Sequence, residues 1–218
     1  MTKEQTHDFR DGNGPVPSHI HTKGGGWVAD TANVHDSAYI GPDARVYGNA
    51  WVSGNAWVHG DAWVSGDALV YGNARVSGNA WVSGDARVYG NALVYGDALV
   101  YGNALVYGDA WVSGDARVYG NALVYGDPLV YGNARVYGNA LVYGNALVKR
   151  GMYTSTPTSI TRSDGYMFTL QSDGSIVAGC RDFTPDEAKA YWGNPEHHKH
   201  RESMAIISAF NAIQTARS

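Results

Sequence analysis

Ala44-Arg45-Val46-Tyr47-Gly48-Asn49 is followed without a gap by Ala50-Trp51-Val52-Ser53-Gly54-Asn55, and the same six-residue unit runs on to Ala146-Leu147-Val148. Every sixth residue from Val28 to Val148 is Val, except for Ile40. Two residues before each stands Ala, save Gly26 at the start and Pro128 late on. No unit carries an insertion. A fixed short period marks a repeat architecture and decides how the rest of the chain is read.

Ala and Val are two apart, so they share one face of a short strand, and the residue between them (Trp, Arg, Leu, Tyr or Asn) faces the other way. The Gly-Asn or Gly-Asp that follows is a turn pair, because both residue types tolerate positive φ. Strand, turn, strand, turn, with a small and a branched apolar residue always inward, describes a solenoid. Three hexads make one coil of 18 residues, and the twenty-one Val/Ile positions give seven coils. At a strand spacing of about 4.8 Å the column is roughly 33 Å long.

The stretch resembles the hexapeptide-repeat, left-handed parallel β-helix family: aliphatic every sixth residue, a small residue two before it, Asn or Asp three after it. The left hand is implied by that resemblance alone, since parallel crossovers in general take the opposite one. The expected organisation is a polar flexible lead-in over 1–25, a β-helix over 26–148, a linker over 149–165, and a small hairpin-plus-two-helix module over 166–218.

Net charge is −4, and residues 41–150 hold eight Asp against seven Lys and Arg, which argues against nucleic acid as a partner. A single cysteine, Cys180, leaves no internal disulfide and suits the cytosol. No apolar run has spanning length and no secretory leader is evident, so a cytoplasmic protein without a membrane partner is expected.

In the lead-in, His19 and His21 alternate on one strand face, too few ligands for a metal. Trp27 is placed to shield the open end of the core, which every solenoid must cap. Sorted by 18, the outward residues form three columns. One carries Arg45, Trp63, Trp81, Leu99, Arg117 and Arg135. The second carries Trp51, Leu69, Arg87, Leu105, Leu123 and Leu141. The third carries Trp57, Arg75, Leu93, Trp111, Leu129 and Leu147. Beside them, mostly Tyr or Ser occupies the slot after Val, Ser with Trp and Tyr with Leu or Arg. These residues are either strand formers stacking on their own neighbours or a buried interface, since Trp, Tyr and Arg are enriched there. The interface reading is preferred, with Trp51, Leu69, Arg87, Leu105, Leu123, Leu141, Trp57, Leu93, Trp111 and Leu129 as its residues. The expected partner is the chain itself, as a trimer, or a host protein.

In the turn columns Asp43/Asp61, Asp67/Asp85, Asp97/Asp115 and Asp109/Asp127 fall one coil apart and repel. Arg45, Arg87 and Arg117, each two residues from one of these Asp, are expected to compensate; calcium bridging is the alternative. Pro128 lacks an N–H and should sit at a strand start.

After Lys149-Arg150-Gly151 the period stops. Tyr166–Leu170, Ser172-Asp173-Gly174 and Ser175–Gly179 predict a β-hairpin. Thr184-Pro185-Asp186-Glu187 predicts a capped helix running to about Trp192, and a second helix is expected from near Glu196 towards Ile213, with Met204, Ile207 and Phe210 on one face. The lead-in Gly24–Ala32 and this tail look like phage- and prophage-encoded hexapeptide-repeat proteins.

Many relatives with such coils are trimeric acyl- or acetyltransferases, in which a His near an expelled loop is the general base and acyl-CoA lies between subunits. This chain expels no loop. His59, in the slot after Val58 beside Trp57, is the one weak catalytic candidate; His35 is the other repeat imidazole. Cys180 with His197, His198 or His200 is read as a structural thiol rather than a nucleophile, and His197–Arg201 as a solvated basic face at a helix start. No metal and no cofactor are expected, acyl-CoA only if the transferase reading holds. The resulting expectation is a non-catalytic binding or assembly scaffold of phage or prophage type that self-associates or binds, and thereby inhibits, a host protein. The alternatives are an acyltransferase and a structural virion part.

Overall fold

A computed structural model describes residues 5–179 and 181–217. Residues 28–153 form a β-solenoid of about seven coils with three parallel walls. Most hexads contribute a two-residue strand such as Trp51–Val52 or Leu69–Val70, and strands 18 apart pair in register: Trp51 with Leu69, Val52 with Val70, and so on up the column. The Val and Ala of every hexad point inward, and nearly all are fully buried.

The ladder is regular. The outward residue donates its N–H to the next coil's Ala carbonyl (Trp51 to Ala68, 2.9 Å). The residue after Val donates to the next Val (Ser53 to Val70, 3.0 Å), and the turn Asn or Asp donates to the next Gly (Asn55 to Gly72, 2.8 Å). The Ala N–H takes no part; where it bonds, it reaches back across its own turn, as Ala86 does to Ser83 at 3.4 Å. This explains Pro128. It lies buried immediately before the strand Leu129–Val130, and its carbonyl still accepts from Trp111 at 2.9 Å. The donor that proline lacks is one the ladder does not use.

Turn glycines are required twice over. Gly66 has φ +66°, and a Cβ built on it would lie 2.9 Å from the backbone nitrogen of Gly84 one coil on. Gly144 has φ +61° but nothing within 4 Å.

Both ends of the column differ from expectation. The polar lead-in contains an antiparallel hairpin, Thr6–Asp8 with Pro15–Ile20, which adds to Trp27–Ala29 and extends the first wall. Its Phe9 is buried and stacks on Tyr47 (5.1 Å), and His7 stacks on Trp27 (4.3 Å). Trp27 therefore does not cover the core end. It faces outward under the hairpin, while residues 21–26 fold over the first coil through Ile40 N–H to Lys23 and Gly26 N–H to Ile40. His19 meets Asp30 at 2.8 Å.

At the far end the first wall gains one more strand inside the stretch read as a linker. Met152–Tyr153 pairs with Arg135–Val136, 17 rather than 18 residues on, and Tyr153 takes the inward Val position as a plug. Thr158–Thr161, also inside that stretch, is the first of four antiparallel strands, followed by Met167–Leu170, Ile176–Ala178 and Arg181–Phe183. The expected hairpin is thus the middle of a meander. Helix α1 (Pro185–Trp192) begins as predicted: Thr184 accepts from Glu187 N–H (3.2 Å), and Glu187 accepts from Thr184 N–H (2.8 Å). Helix α2 (His200–Arg217) starts later than expected, after a turn in which Lys199 has φ +60°. Ile207 and Phe210 are buried against Phe168, Leu170 and Trp192, with Met204 and Ile213 packed beside them. Cys180 lies outside the described residues.

The meander closes the solenoid with side chains. Gln171, 1 % exposed, donates to Leu147 C=O (2.8 Å) and accepts from Lys149 N–H (3.0 Å) and the Tyr153 hydroxyl (2.9 Å). Thr169 accepts from Leu147 N–H (3.2 Å), and Ser172 from Met152 N–H (3.0 Å). Asp182 pairs with Lys149 and Arg150. Burial pushes the Tyr153 hydroxyl well above the ordinary tyrosine range. These contacts satisfy backbone groups that an uncapped last coil would leave open.

Two substitutions test this account. Gly66→Ala should cost more in urea unfolding than Gly144→Ala: both bear about 1 kcal/mol for a left-handed backbone, and only Gly66 has a neighbour to strike. Equal losses would contradict the tight turn stacking. Gln171→Leu should lose about 3 kcal/mol by orphaning several buried groups, seen as a lowered melting temperature; an unchanged melt would show that the end needs no polar plug.

Candidate functional site

The outward columns form in the expected register, and the rings in them stack on one another. On the second wall Tyr71, Tyr89, Tyr107, Tyr125 and Tyr143 make one continuous ladder, with centroids 4.8, 4.8, 5.2 and 5.6 Å apart. Strand spacing and stacking distance coincide, so each ring covers the next at no cost in geometry. Beside the ladder run Trp51, Leu69, Arg87, Leu105, Leu123 and Leu141 in direct pairing. The Leu residues are half-buried under these rings, whereas Trp51 and Tyr143 stay 50 % exposed. Strands Leu105–Gly108, Leu123–Gly126 and Leu141–Gly144 are longer than their counterparts elsewhere, so this stretch of wall is the most regular.

On the third wall Trp57, Leu93, Trp111 and Leu129 also stand in one column, with Arg75 between them. Tyr39 stacks on Trp57 (4.8 Å), and the Arg75 guanidinium lies 5.6 Å from the Trp57 ring. The first wall is different: its N-terminal part is covered by the chain's own hairpin, and further on Trp63 stacks on Trp81 (4.6 Å) and Tyr101, Tyr119 and Tyr137 stack in turn. The hairpin covers neither the second nor the third wall; the second borders the C-terminal module at Leu141 and Tyr143.

Charge compensation works through Asn rather than Arg. Among the described residues no ion pair joins Arg45, Arg87 or Arg117 to a turn Asp. Arg45 instead lies 4.9 Å over Trp63. In three of the four stacked Asp pairs an Asn one coil earlier donates its amide to the first carboxylate: Asn49 to Asp67 (3.0 Å), Asn79 to Asp97 (2.8 Å) and Asn91 to Asp109 (2.9 Å). Where Asn follows Asn the amides chain, as in Asn103 to Asn121 to Asn139.

His59 sits edge-on to Trp57 at 6.4 Å. A Cβ on Gly41 would be 3.0 Å from its Cβ, so the glycine makes room for the imidazole one coil on. Among the described residues no carboxylate bonds to it, and no group of three or more metal-binding side chains occurs. His35 bonds Ser37 within its own turn (2.8 Å).

A feature that sequence reasoning missed lies in the C-terminal module. Arg162, Tyr166, Arg181, Phe183, Tyr191, Trp192, His197 and His198 line a cavity of about 310 Å³. His197 and His198 precede α2 rather than opening it, and both border this cavity; His198 is solvent-exposed as expected, whereas His197 is half-buried. The hydrogen bonds that Arg162 donates to Asp164 raise the pKa of Arg162 and hold Asp164 well below the usual carboxylate range. Only the aromatic and basic composition of the tail hinted at such a site.

Comparison with known proteins places the solenoid. Residues 44–60, 68–84, 86–101, 98–114, 116–132 and 130–144 match the family described as YdcK Beta solenoid repeat. No curated protein matches the chain. The protein is a β-solenoid repeat protein, and no helix among its described residues is long and apolar enough to cross a membrane.

The tyrosine ladder predicts an alkaline response. Burial, then the neighbouring Tyr107 and Tyr71, raise the pKa of Tyr89 above 10.0. A group with a raised folded pKa stabilises fully below its unfolded value and loses that contribution as pH rises through the folded one. Melting temperature should therefore hold to about pH 10 and fall beyond it. Tyr89→Phe should shrink the fall; an identical profile would show that the ladder does not titrate with folding.

Proposed function

We propose that the protein is a non-catalytic binding and assembly scaffold whose second wall is covered by further copies of the chain or by a host protein. One observation carries this reading: Leu105 and Leu123 beside Tyr107 and Tyr125 make a flat, uncharged, internally stacked patch, continued by Leu141 and by Tyr143, which is 50 % exposed where the patch meets the 156–167 segment. Such patches on soluble proteins mark contact surfaces. Their rings are already held by their neighbours, so little side-chain freedom is lost on docking. The third wall, with Trp57, Leu93, Trp111 and Leu129, is the second surface of this kind.

The phage or prophage setting rests on resemblance in the lead-in and tail, and inhibition of a host protein is the role that fits a rigid plate of this size. The acyltransferase reading receives no support from the surroundings of His59, which are those of a packing residue.

The test is mass in solution by light scattering after size-exclusion chromatography. The wild-type chain should run as a trimer or other multiple, and the Leu105→Glu/Leu123→Glu double variant as a monomer with unchanged circular dichroism. Equal masses for the two proteins would remove self-association through this wall. A monomeric wild type would leave a host partner as the occupant, to be sought with the same double variant as control.

A further inference from the structure

The cavity of the C-terminal module plays no part in the scaffold reading. It opens between the Arg162–Tyr166 turn, the start of the Arg181–Phe183 strand, the end of α1 and the turn into α2. Its size suits a small molecule rather than a polymer.

Its lining combines rings with uncompensated positive charge. Arg162 is 8 % exposed and fully engaged. It donates to both oxygens of Asp164 (2.9 and 2.7 Å) and to Ser203 (2.9 Å), and lies 4.9 Å over the Tyr166 ring. Asp164 is also the only carboxylate, among the described residues, paired with any lining residue. Arg181 has no ion pair among them, and its guanidinium stands 5.4 Å from the Tyr191 ring. The His197 ring is 4.4 Å from the same tyrosine, and its Nδ1 is buried without a hydrogen-bond partner.

The walls are also held in place. Lys199, in its left-handed conformation, reaches Ser163 (2.7 Å) and Glu202 (2.8 Å), and Glu202 accepts from Ser163 N–H (3.0 Å). The Lys199 ammonium and the Ser163 bonds hold the Glu202 pKa at about 2. The turn bearing Arg162 and the turn bearing His197 are thereby clamped to each other. A non-glycine residue at positive φ next to a cavity is the kind of local strain that accompanies ligand sites.

We propose that this cavity binds a small anion bearing an aromatic or heteroaromatic ring, such as an aryl phosphate or carboxylate. The ring packs among Tyr191, Phe183 and Trp192, and the anionic group meets Arg181 and His197. Arginine suits such a group because its planar fork matches carboxylate and phosphate geometry. The aromatic lining adds selectivity that a bare cation would not have.

Titration calorimetry on the full chain tests this with phenyl phosphate as the probe, and inorganic phosphate and benzyl alcohol as separate arms. Phenyl phosphate should bind one to one with a dissociation constant on the order of 1 mM or below, and each half-probe about tenfold more weakly. Arg181→Gln and Tyr191→Leu should each weaken phenyl phosphate about fivefold or more. Arg181 is exposed and has no ion pair among the described residues, so Arg181→Gln should melt like the wild type, while Arg201→Gln, outside the lining, should bind normally. Three results would each overturn the proposal: no binding of phenyl phosphate, inorganic phosphate binding as tightly as phenyl phosphate, or affinity untouched by both variants. None of these outcomes depends on the assembly of the second wall.

Discussion

The in-register ladder between coils 18 residues apart governs the rest of the structure. Each hexad commits three backbone N–H groups to the coil above it, and each commitment needs the same residue spacing in both coils. A single inserted residue would turn Val outward and break the register on every later wall. Hence the absence of insertions, the glycine in nearly every turn, and the tolerance of Pro128 at a backbone position whose N–H the ladder leaves out. Only in the closing coil does the spacing shorten by one, and there the larger Tyr153 fills the core.

The same register dictates the outer surface. Because like positions stack on like, a tyrosine column becomes a ring ladder and an asparagine column an amide ladder, each at about the strand spacing. Repulsion between stacked carboxylates is met within this logic, by an Asn one coil away rather than by an Arg on the neighbouring face. Arg45 and Arg75 lie over Trp rings instead. The surface is therefore preorganised: its side chains are held by their neighbours before any partner arrives, which is a favourable condition for binding by flat faces.

A parallel ladder has two open ends, and the chain treats them separately. At the start, the hairpin of Thr6–Asp8 and Pro15–Ile20 extends one wall, and the 21–26 loop lies across another. At the finish, the amide and hydroxyls of Gln171, Thr169 and Ser172 substitute for a next coil. These caps oppose end-to-end growth and direct any association to the sides. They also leave the C-terminal module with its own hydrophobic core and its own cavity, one fold carrying two separable surfaces.

The period of six, the alternation of Ala and Val, and the Gly-Asn and Gly-Asp turns were enough by themselves to determine the solenoid, its three walls, its seven coils and the membership of each outward column. This follows because every coil contact in a repeat is set by a fixed offset in the chain. The capped start of α1 was equally legible, since a capping box involves residues within one turn. Tertiary structure alone decided what depends on groups distant in sequence. Thr6–Asp8, Met152–Tyr153 and Thr158–Thr161 carry weak strand patterns, and become strands because an existing sheet edge offers them partners. Trp27 could not be placed without Phe9 and His7 above it. The cavity of Arg162, Arg181, Tyr191 and His197 gathers residues from a turn, a strand, a helix end and a second turn, and no periodicity links them; only packing of the meander against its two helices brings them together.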